Sequence, residues 1–234
     1  MKVAALYDIH GNHAALKAVL QEVMDEKIET VVIGGDLVWG PQPKEVMETL
    51  FQYKERFLFI KGNADREVVH RYGTEEGCPD FVADMNGWCA DQLSEEHLIF
   101  LKNLPEKQIV PVNGLGVVLF VHGSPRSDEE PIRVNTPEHE VTEMIHNTTE
   151  NVIVCGHTHI QFDRIVAGKR IVNAGSVGLQ SRAKGACWLL MDGDIKYRIT
   201  EYHVEQAAAE ILNGTCPYKK DFADHLLNPP DVGP

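Results

Sequence analysis

Asp8-Ile9-His10-Gly11-Asn12 is the stretch from which the fold is read. It follows the apolar run Val3-Ala4-Ala5-Leu6-Tyr7 and leads into His13-Ala14-Ala15-Leu16-Lys17-Ala18-Val19-Leu20, whose spacing predicts a helix. A carboxylate and an imidazole two residues apart at a strand end can face one cation. Gly11 lets the backbone turn sharply, and the helix N-terminus behind it favours an anion. Cation and anion sites would then be neighbours, as phosphate chemistry requires. An Asp at a strand–helix junction also serves as a cap or turn residue, so the stretch alone leaves both readings open. What separates them is whether other strands end the same way.

Working outward, they do. Thr30-Val31-Val32-Ile33 is a β-branched run of the kind buried on both faces, and it ends in Gly34-Gly35-Asp36. Phe57-Leu58-Phe59-Ile60 ends in Gly62-Asn63-Ala64-Asp65. Helical patterns cover 13–26 and 43–54, with Pro43 suited to an opening turn. Three strand–loop–helix units in succession indicate an α/β fold with parallel strands and a ligand site at their carboxyl ends. Residues from about 74 to 105 read as an inserted helical hairpin without a strand. Two strands, 108–112 and 117–121, meet at Asn113-Gly114, and the second ends in His122-Gly123-Ser124-Pro125-Arg126. A helix from about 137 to 146 precedes Val152-Ile153-Val154-Cys155, which ends in Gly156-His157-Thr158-His159. Three further strands near 162–166, 170–173 and 187–200 and a helix over 204–213 follow. The Pro- and Gly-containing segment from about 217 to 234 is expected to be loose. The expectation is one domain, 1–234, without internal repeats.

With 43% hydrophobic and 24% charged residues, the 234-residue chain has an ordinary globular composition. Its net charge of −13 excludes non-specific nucleic-acid binding by a basic face. Divalent cations could still make one cleft locally positive. Cys78, Cys89, Cys155, Cys187 and Cys216 are odd in number and widely spaced, which indicates free thiols in a reducing compartment rather than disulfides or a thiolate zinc site. No apolar run approaches the roughly 18 residues that span a bilayer, and the run after Lys2 is too short for a signal-peptide core of about 7–15. A soluble, cytoplasmic protein with no membrane partner is expected, with homo-oligomerisation left open.

Five strand ends thus carry polar groups beside glycine: Asp8 with His10, Asp36, Asn63, His122, and His157 with His159. Hard oxygen and borderline nitrogen donors without thiolate suit Mn, Fe, Zn or Ni. Two carboxylates, one amide and four imidazoles exceed the needs of one ion. They suit two, about 3.5–4 Å apart and sharing a carboxylate. A turn asparagine or an edge histidine is unremarkable singly; five such coincidences at one end of a sheet are not.

In their order, Asp8-Ile9-His10, Gly35-Asp36, Gly62-Asn63, His122-Gly123 and Gly156-His157-Thr158-His159 resemble the signature of the calcineurin-like metallophosphoesterases. Gly35-Asp36-Leu37-Val38-Trp39-Gly40-Pro41, His122-Gly123-Ser124-Pro125-Arg126 and Asn173-Ala174-Gly175-Ser176-Val177-Gly178 are similar to its small bacterial and archaeal members. The resemblance runs from about Val3 to Leu212 and implies a four-layer αββα sandwich of two mixed sheets. It implies that Asp8, His10, Asp36 and His159 hold one ion, that Asp36, Asn63, His122 and His157 hold the other, and that Asp36 bridges. It also implies phosphate-ester hydrolysis, most readily of a diester, by in-line attack of a hydroxide shared by two cations. Mn2+ is the expected metal, with Fe, Zn, Ni or Mg as alternatives, and a small phosphate ester, nucleotides included, the expected partner.

One position departs from the family pattern. Many members carry a histidine after the asparagine, and here that residue is Ala64. A positioned general acid contributes roughly 10²–10⁴-fold. Either the substrate has a good leaving group or another acid substitutes, with His13 and Asp65 as candidates beside Asn63 in the catalytic set. Both also have plain readings, His13 as a solvated first-turn residue and Asp65 as a cap. Asn12, Ser124, Arg126 and Ser176 are candidate phosphate contacts, with loop capping the alternative for each. A non-catalytic scaffold or metal-binding interaction protein of the same fold is the alternative function, favoured only by Ala64.

Overall fold

The computed structural model describes residues 1–73 and 80–234. Cys78 and residues 74–79 of the expected helical insertion lie outside the described residues. The first sheet holds β1 (Val3–Leu6), β2 (Thr30–Ile33), β3 (Leu58–Phe59), β9 (Ala186–Asp192) and β10 (Asp194–Thr200), in the order β10-β9-β1-β2-β3. Its first three strands are parallel, and β9 and β10 join antiparallel. The second holds β4 (Lys107–Val112), β5 (Gly116–Val121), β6 (Val152–Cys155), β7 (Phe162–Val166) and β8 (Lys169–Asn173), in the order β4-β5-β6-β8-β7. Here β5, β6 and β8 are parallel, while both edge pairs are antiparallel. The stretch 187–200 is a hairpin of two strands that reverses at Gly193 (φ 75), within the turn Asp192-Gly193-Asp194 expected from the sequence.

Strand alternation builds the layers. Ala4 and Leu6 of β1 face α1 (His13–Asp25) and α2 (Pro43–Phe51), meeting Leu16, Val19, Val46 and Met47. Val3, Ala5 and Tyr7 point the other way, onto Val118, Phe120, Val154 and Val172 of the second sheet. Leu119 and Ile153 face outward beneath Val141 and Ile145 of α6 (Glu138–Ile145). Each Val, Leu, Ile, Phe or Met side chain among these contributes about 1.5–3 kcal/mol on burial. The outcome is a four-layer αββα sandwich of two mixed sheets. Further helices on the first sheet's side are α3 (Asn63–His70), α4 (Asp80–Gln92), α5 (Glu95–Lys102), α7 (Val204–Asn213) and α8 (Lys219–Leu227).

Helix α8 corrects the expectation of a loose segment from 217. Phe222, Ala223 and Leu226 are buried on one helical face, and Phe222 meets the Trp39 ring edge-on at 5.6 Å. The stripe is only three residues long and lies among Lys219, Lys220, Asp221 and Asp224, so its periodicity is weak in the sequence. Among the described residues, Cys89, Cys155, Cys187 and Cys216 are buried and free. No helix among them is long and apolar enough to cross a membrane.

Candidate metal centre

The loops after β1, β2 and β3 carry Asp8, His10, Asp36 and Asn63, and those after β5 and β6 carry His122, His157 and His159. The two sheets therefore contribute to one locus. Five of these seven residues sit in the left-handed region: Asp8 at φ 53, His10 at 46, Asp36 at 54, His157 at 64 and His159 at 57. Such conformations cost of the order of 1–3 kcal/mol each and persist only where surroundings impose them. Backbone bonds impose them here: Asp8 N–H to Gly35 O (3.1 Å), His10 N–H to Asp36 O (2.9 Å) and Gly178 N–H to Asp8 O (3.0 Å). The approach is close enough that a Cβ on Gly40 would lie 1.8 Å from His10 O, and one on Gly62 would lie 2.1 Å from Asp36 Oδ1.

Two triads result. Asp8, His10 and His159 each offer one donor atom within 4.8 Å of the others, and so do Asp36, His122 and His157. Carbonyls set the tautomers. His10 Nδ1–H donates to Trp39 O (2.9 Å), His122 Nδ1–H to Gly34 O (2.9 Å) and His157 Nε2–H to Glu129 O (3.1 Å). Each ring thereby turns its other nitrogen, a lone pair when neutral, toward the locus. His10 Nε2 lies 3.1 Å from His159 Nε2, and His122 Nε2 lies 3.2 Å from Asn63 Oδ1 and 3.4 Å from Asp36 Oδ2. Asp8 Oδ1, fully buried, has no hydrogen-bond partner among the described residues. A buried carboxylate oxygen left unpaired among converging lone pairs is costly. Divalent cations fit this donor set.

The electrostatics of the polypeptide alone agree. Burial pushes His10 and His159 down, and burial with the neighbouring His122 brings His157 to about 4. All three rings are neutral and ready to coordinate near pH 7. For His122, burial is outweighed by Asp36 and Asp8, which push it up to about 10. Asp36 lies below the ordinary carboxylate range because the His122 and His10 rings outweigh its burial. A proton on His122 thus partly does what a cation would do between the two carboxylates.

The remaining candidates have other work. Asp65 is fully buried, and its carboxylate accepts from Asp36 N (2.9 Å), Leu37 N (2.8 Å) and Gly62 N (3.1 Å). It ties together the loops that carry Asp36 and Asn63 and is buried away from the cleft, in the capping role that the sequence also allowed. Burial and the adjoining Asp36 raise it to about 7. His13 lies apart from the triads: its Nε2 is 2.9 Å from Thr49 Oγ1, in a separate depression of about 570 Å³ lined by Lys17, Tyr202 and Glu210. Asn12 caps α1 through Ala15 N (3.1 Å) and donates to Gly178 O (2.9 Å). Ser176 donates to Asp8 O (2.7 Å) and accepts from Leu179 N (2.8 Å). Both are buried, and their bonds hold the loops behind the site. Ser124 donates to Glu130 (2.6 Å), and the exposed Arg126 pairs with the same carboxylate, its Nε at 2.8 Å.

The cleft over the triads, about 180 Å³, is lined by Asn63, His157, His159 and Ala64, and also by residues sequence reasoning missed: Trp39, Glu67 and Pro234. Glu67 stands one turn beyond Asn63 and accepts its Nδ2–H (3.3 Å), which turns Asn63 Oδ1 toward His122. The i, i+4 spacing of Asn63 and Glu67 was the available signal. Pro234 had none, because the sequence does not show that its segment returns to the site.

Comparisons with known proteins agree with this geometry. Residues 1–195 match the sequence profile of the calcineurin-like phosphoesterase superfamily domain. An uncharacterized protein of Methanocaldococcus jannaschii is 26% identical over 92% of this chain and 93% of its own length. Among solved structures, a hypothetical protein of Pyrococcus horikoshii OT3 superposes with a TM-score of 0.82 at 21% identity, covering 96% of this chain and 97% of that one. A metallophosphoesterase of Sphaerobacter thermophilus gives 0.77 at 23% identity, covering 97% and 98%.

Proposed function

The chain belongs to the calcineurin-like phosphoesterase superfamily, and on that premise we propose that it is a two-metal phosphodiesterase. The observation that carries this reading is the pair of adjacent donor triads with Asp8 Oδ1 buried and unpaired among them. One ion would take Asp8, His10, Asp36 and His159, and the other Asp36, Asn63, His122 and His157. Mn2+ is the first expectation for this oxygen and nitrogen set, with Fe, Zn, Ni or Mg as alternatives. Two divalent ions supply a nucleophile near neutral pH and offset charge on phosphoryl oxygens.

The chain's own residues favour a diester. No lysine or arginine lines the cleft among the described residues, and Arg126, the candidate for that role, is paired with Glu130. A monoester dianion would lack a protein cation for its extra charge. A diester brings one charge and a second arm, for which Trp39, Val82 and Leu179 offer an apolar wall. Ala64 stands on that wall, and neither His13 nor Asp65 reaches it, so departure of the leaving group relies on its own acidity. The scaffold alternative predicts missing ligands, and all seven positions are filled.

The test is a hydrolysis panel on Mn2+-reconstituted protein, with mono- and diesters bearing aryl or alkyl leaving groups. Aryl diesters should be cleaved fastest, and Asp36→Asn should abolish turnover while lowering metal content from two ions per chain. Saturation at one ion, or no hydrolysis anywhere in the panel, refutes the assignment.

A further inference from the structure

Beyond α8 the chain returns across the cleft. Pro230 O accepts from Arg182 N–H (2.9 Å) and Asp231 O from Arg182 Nε (2.6 Å). Gly233 presses on the turn between His157 and His159, where a Cβ would lie 1.9 Å from Thr158 O. Pro234 O accepts from the Arg133 guanidinium, and Pro234 itself lines the metal cleft. Beside that cleft a hollow of about 230 Å³ is lined by Arg133, Arg182, Thr158, Phe162, Val232 and Gly233.

Two features of this arrangement are unusual. Arg66, Arg71, Arg126, Arg170 and Arg198 all pair with carboxylates, in a chain of net charge −13. Arg56, Arg133, Arg164 and Arg182 have none among the described residues, and of these four only Arg133 and Arg182 line the hollow, their guanidinium groups resting on backbone oxygens of 234 and 231. The segment is also held one-sidedly. The N–H groups of Asp231, Val232 and Gly233 donate no hydrogen bond among the described residues, and Val232 is 70% exposed. Asp231 and Pro234 are three residues apart, so their carbonyls lie within about 11 Å of each other. Both arginines could therefore serve one small ligand. These bonds carry a charge on the donor only; an anion adds a full charge on the acceptor and, as a carboxylate or phosphate, a second oxygen for the guanidinium fork, so an anion outcompetes these backbone oxygens.

We propose that Arg133 and Arg182 form an anion subsite beside the metal cleft, and that residues 230–234 are a strap which fills it until a substrate's second anionic group displaces the strap. The inference rests on the phosphodiesterase reading and names its substrate class: a diester whose retained arm ends in a carboxylate or a further phosphate.

A matched pair of diesters with one leaving group tests it: 4-nitrophenyl ethyl phosphate and 4-nitrophenyl 3-carboxypropyl phosphate, on zinc-reconstituted full chain. The kcat/KM ratio should favour the carboxylate ester by about tenfold or more, and Arg133→Gln or Arg182→Gln should bring it to within about twofold of unity. The second readout needs no turnover. The backbone order parameter of Gly233, near 0.85 in the protein alone, should fall below about 0.6 with 3-carboxypropyl phosphate and stay high with ethyl phosphate. Gly233→Ala should give the low value without ligand. If neither ester is hydrolysed the function reading fails, and the order parameter alone decides the strap. A wild-type ratio near one, a ratio kept by both arginine variants, or a Gly233 equally ordered with either ligand overturns the proposal.

Discussion

Replacing Asp65 by asparagine keeps a side chain's shape while removing the charge that ties three loops together. Its two oxygens accept from Asp36 N, Leu37 N and Gly62 N at 2.9, 2.8 and 3.1 Å, wholly out of solvent. An amide has a single acceptor oxygen. It can keep the Leu37 bond or the Asp36 and Gly62 pair, and it turns an NH2 group onto whatever remains. Hydrogen bonds to a charged group contribute about 1.5–3 kcal/mol each, and an unpaired buried donor costs a similar amount. The raised Asp65 carboxyl means that burying its charge is itself costly, so the neutral amide recovers much of this, and the bonds left unmade leave a loss of about 2 kcal/mol. For a chain of this length that is a fall in Tm of about 4–8 °C. The comparison belongs at pH 8 or above, because Asp65, raised to about 7, loses its charge in the parent below that. Chelator-treated protein should be unfolded in urea, and metal affinity measured by calorimetry should fall about 10–100-fold, as for other residues that orient metal ligands. A variant within about 1 kcal/mol of the parent and with unchanged metal affinity would refute the bracing role. Loss of alkyl-ester turnover alone, in a variant of full stability, would restore Asp65 as an acid.

Three further outcomes follow from the same geometry. Gly62→Ala places a Cβ 2.1 Å from Asp36 Oδ1; metal analysis should show both ions weakened together, and an unaffected stoichiometry would mean Asp36 does not bridge. His13→Ala removes one half-buried bond to Thr49, so chemical denaturation should register about 0.5–1.5 kcal/mol while diester turnover stays within twofold. His122, at about 10 in the polypeptide alone against an ordinary 6.5, stabilises the metal-free fold by a contribution fully present below pH 6.5 and lost as pH rises through 10. Metal must displace that proton, so affinity should rise about tenfold per pH unit between 7 and 9, with about one proton released on titration in buffers of different ionisation enthalpy.

Much of this was legible because ligands, glycines and β-branched runs recur in a fixed grammar. The runs ending in Asp36 and His157 announced buried strands, and the residues after them announced the site. The left-handed backbone at Asp8, His10, Asp36, His157 and His159 was not legible, since only contacts between loops impose it. The same limit explains Asp65. A carboxylate two residues after a ligand is chemically indistinguishable from an acid until the N–H groups of Asp36 and Leu37, 28 or 29 positions earlier, are seen to converge on it. The bonds that Asn12, Ser124 and Ser176 make within the chain were not legible for a related reason. Short polar side chains serve phosphate and backbone equally well, and burial decides which. Helix α8 was hidden by a brief apolar stripe, and Pro229-Pro230 told more of where it stops than that it exists.

The division of ligands between the two sheets has a mechanical consequence. Ions seated as proposed would be rivets through the sandwich, joining chain segments as far apart as His10 and His159, 149 positions distant. The seam between the sheets is otherwise closed at this end by the packing of Tyr7, Phe120 and Val154 and by a few hydrogen bonds, among them His122 Nδ1–H to Gly34 O (2.9 Å), His157 N–H to Asp8 Oδ2 (3.0 Å) and Tyr7 O–H to Val154 O (3.3 Å). Long-range closure of that kind restricts the unfolded chain much as a disulfide does, by roughly 3–5 kcal/mol for the longest loops. A chain whose described cysteines are all free and buried would thus draw from its metals the covalent-like stapling that secreted folds draw from sulfur. Stripping the ions would then loosen the sandwich from the catalytic end inward, with the strand ends of β1 and β6 the first to part.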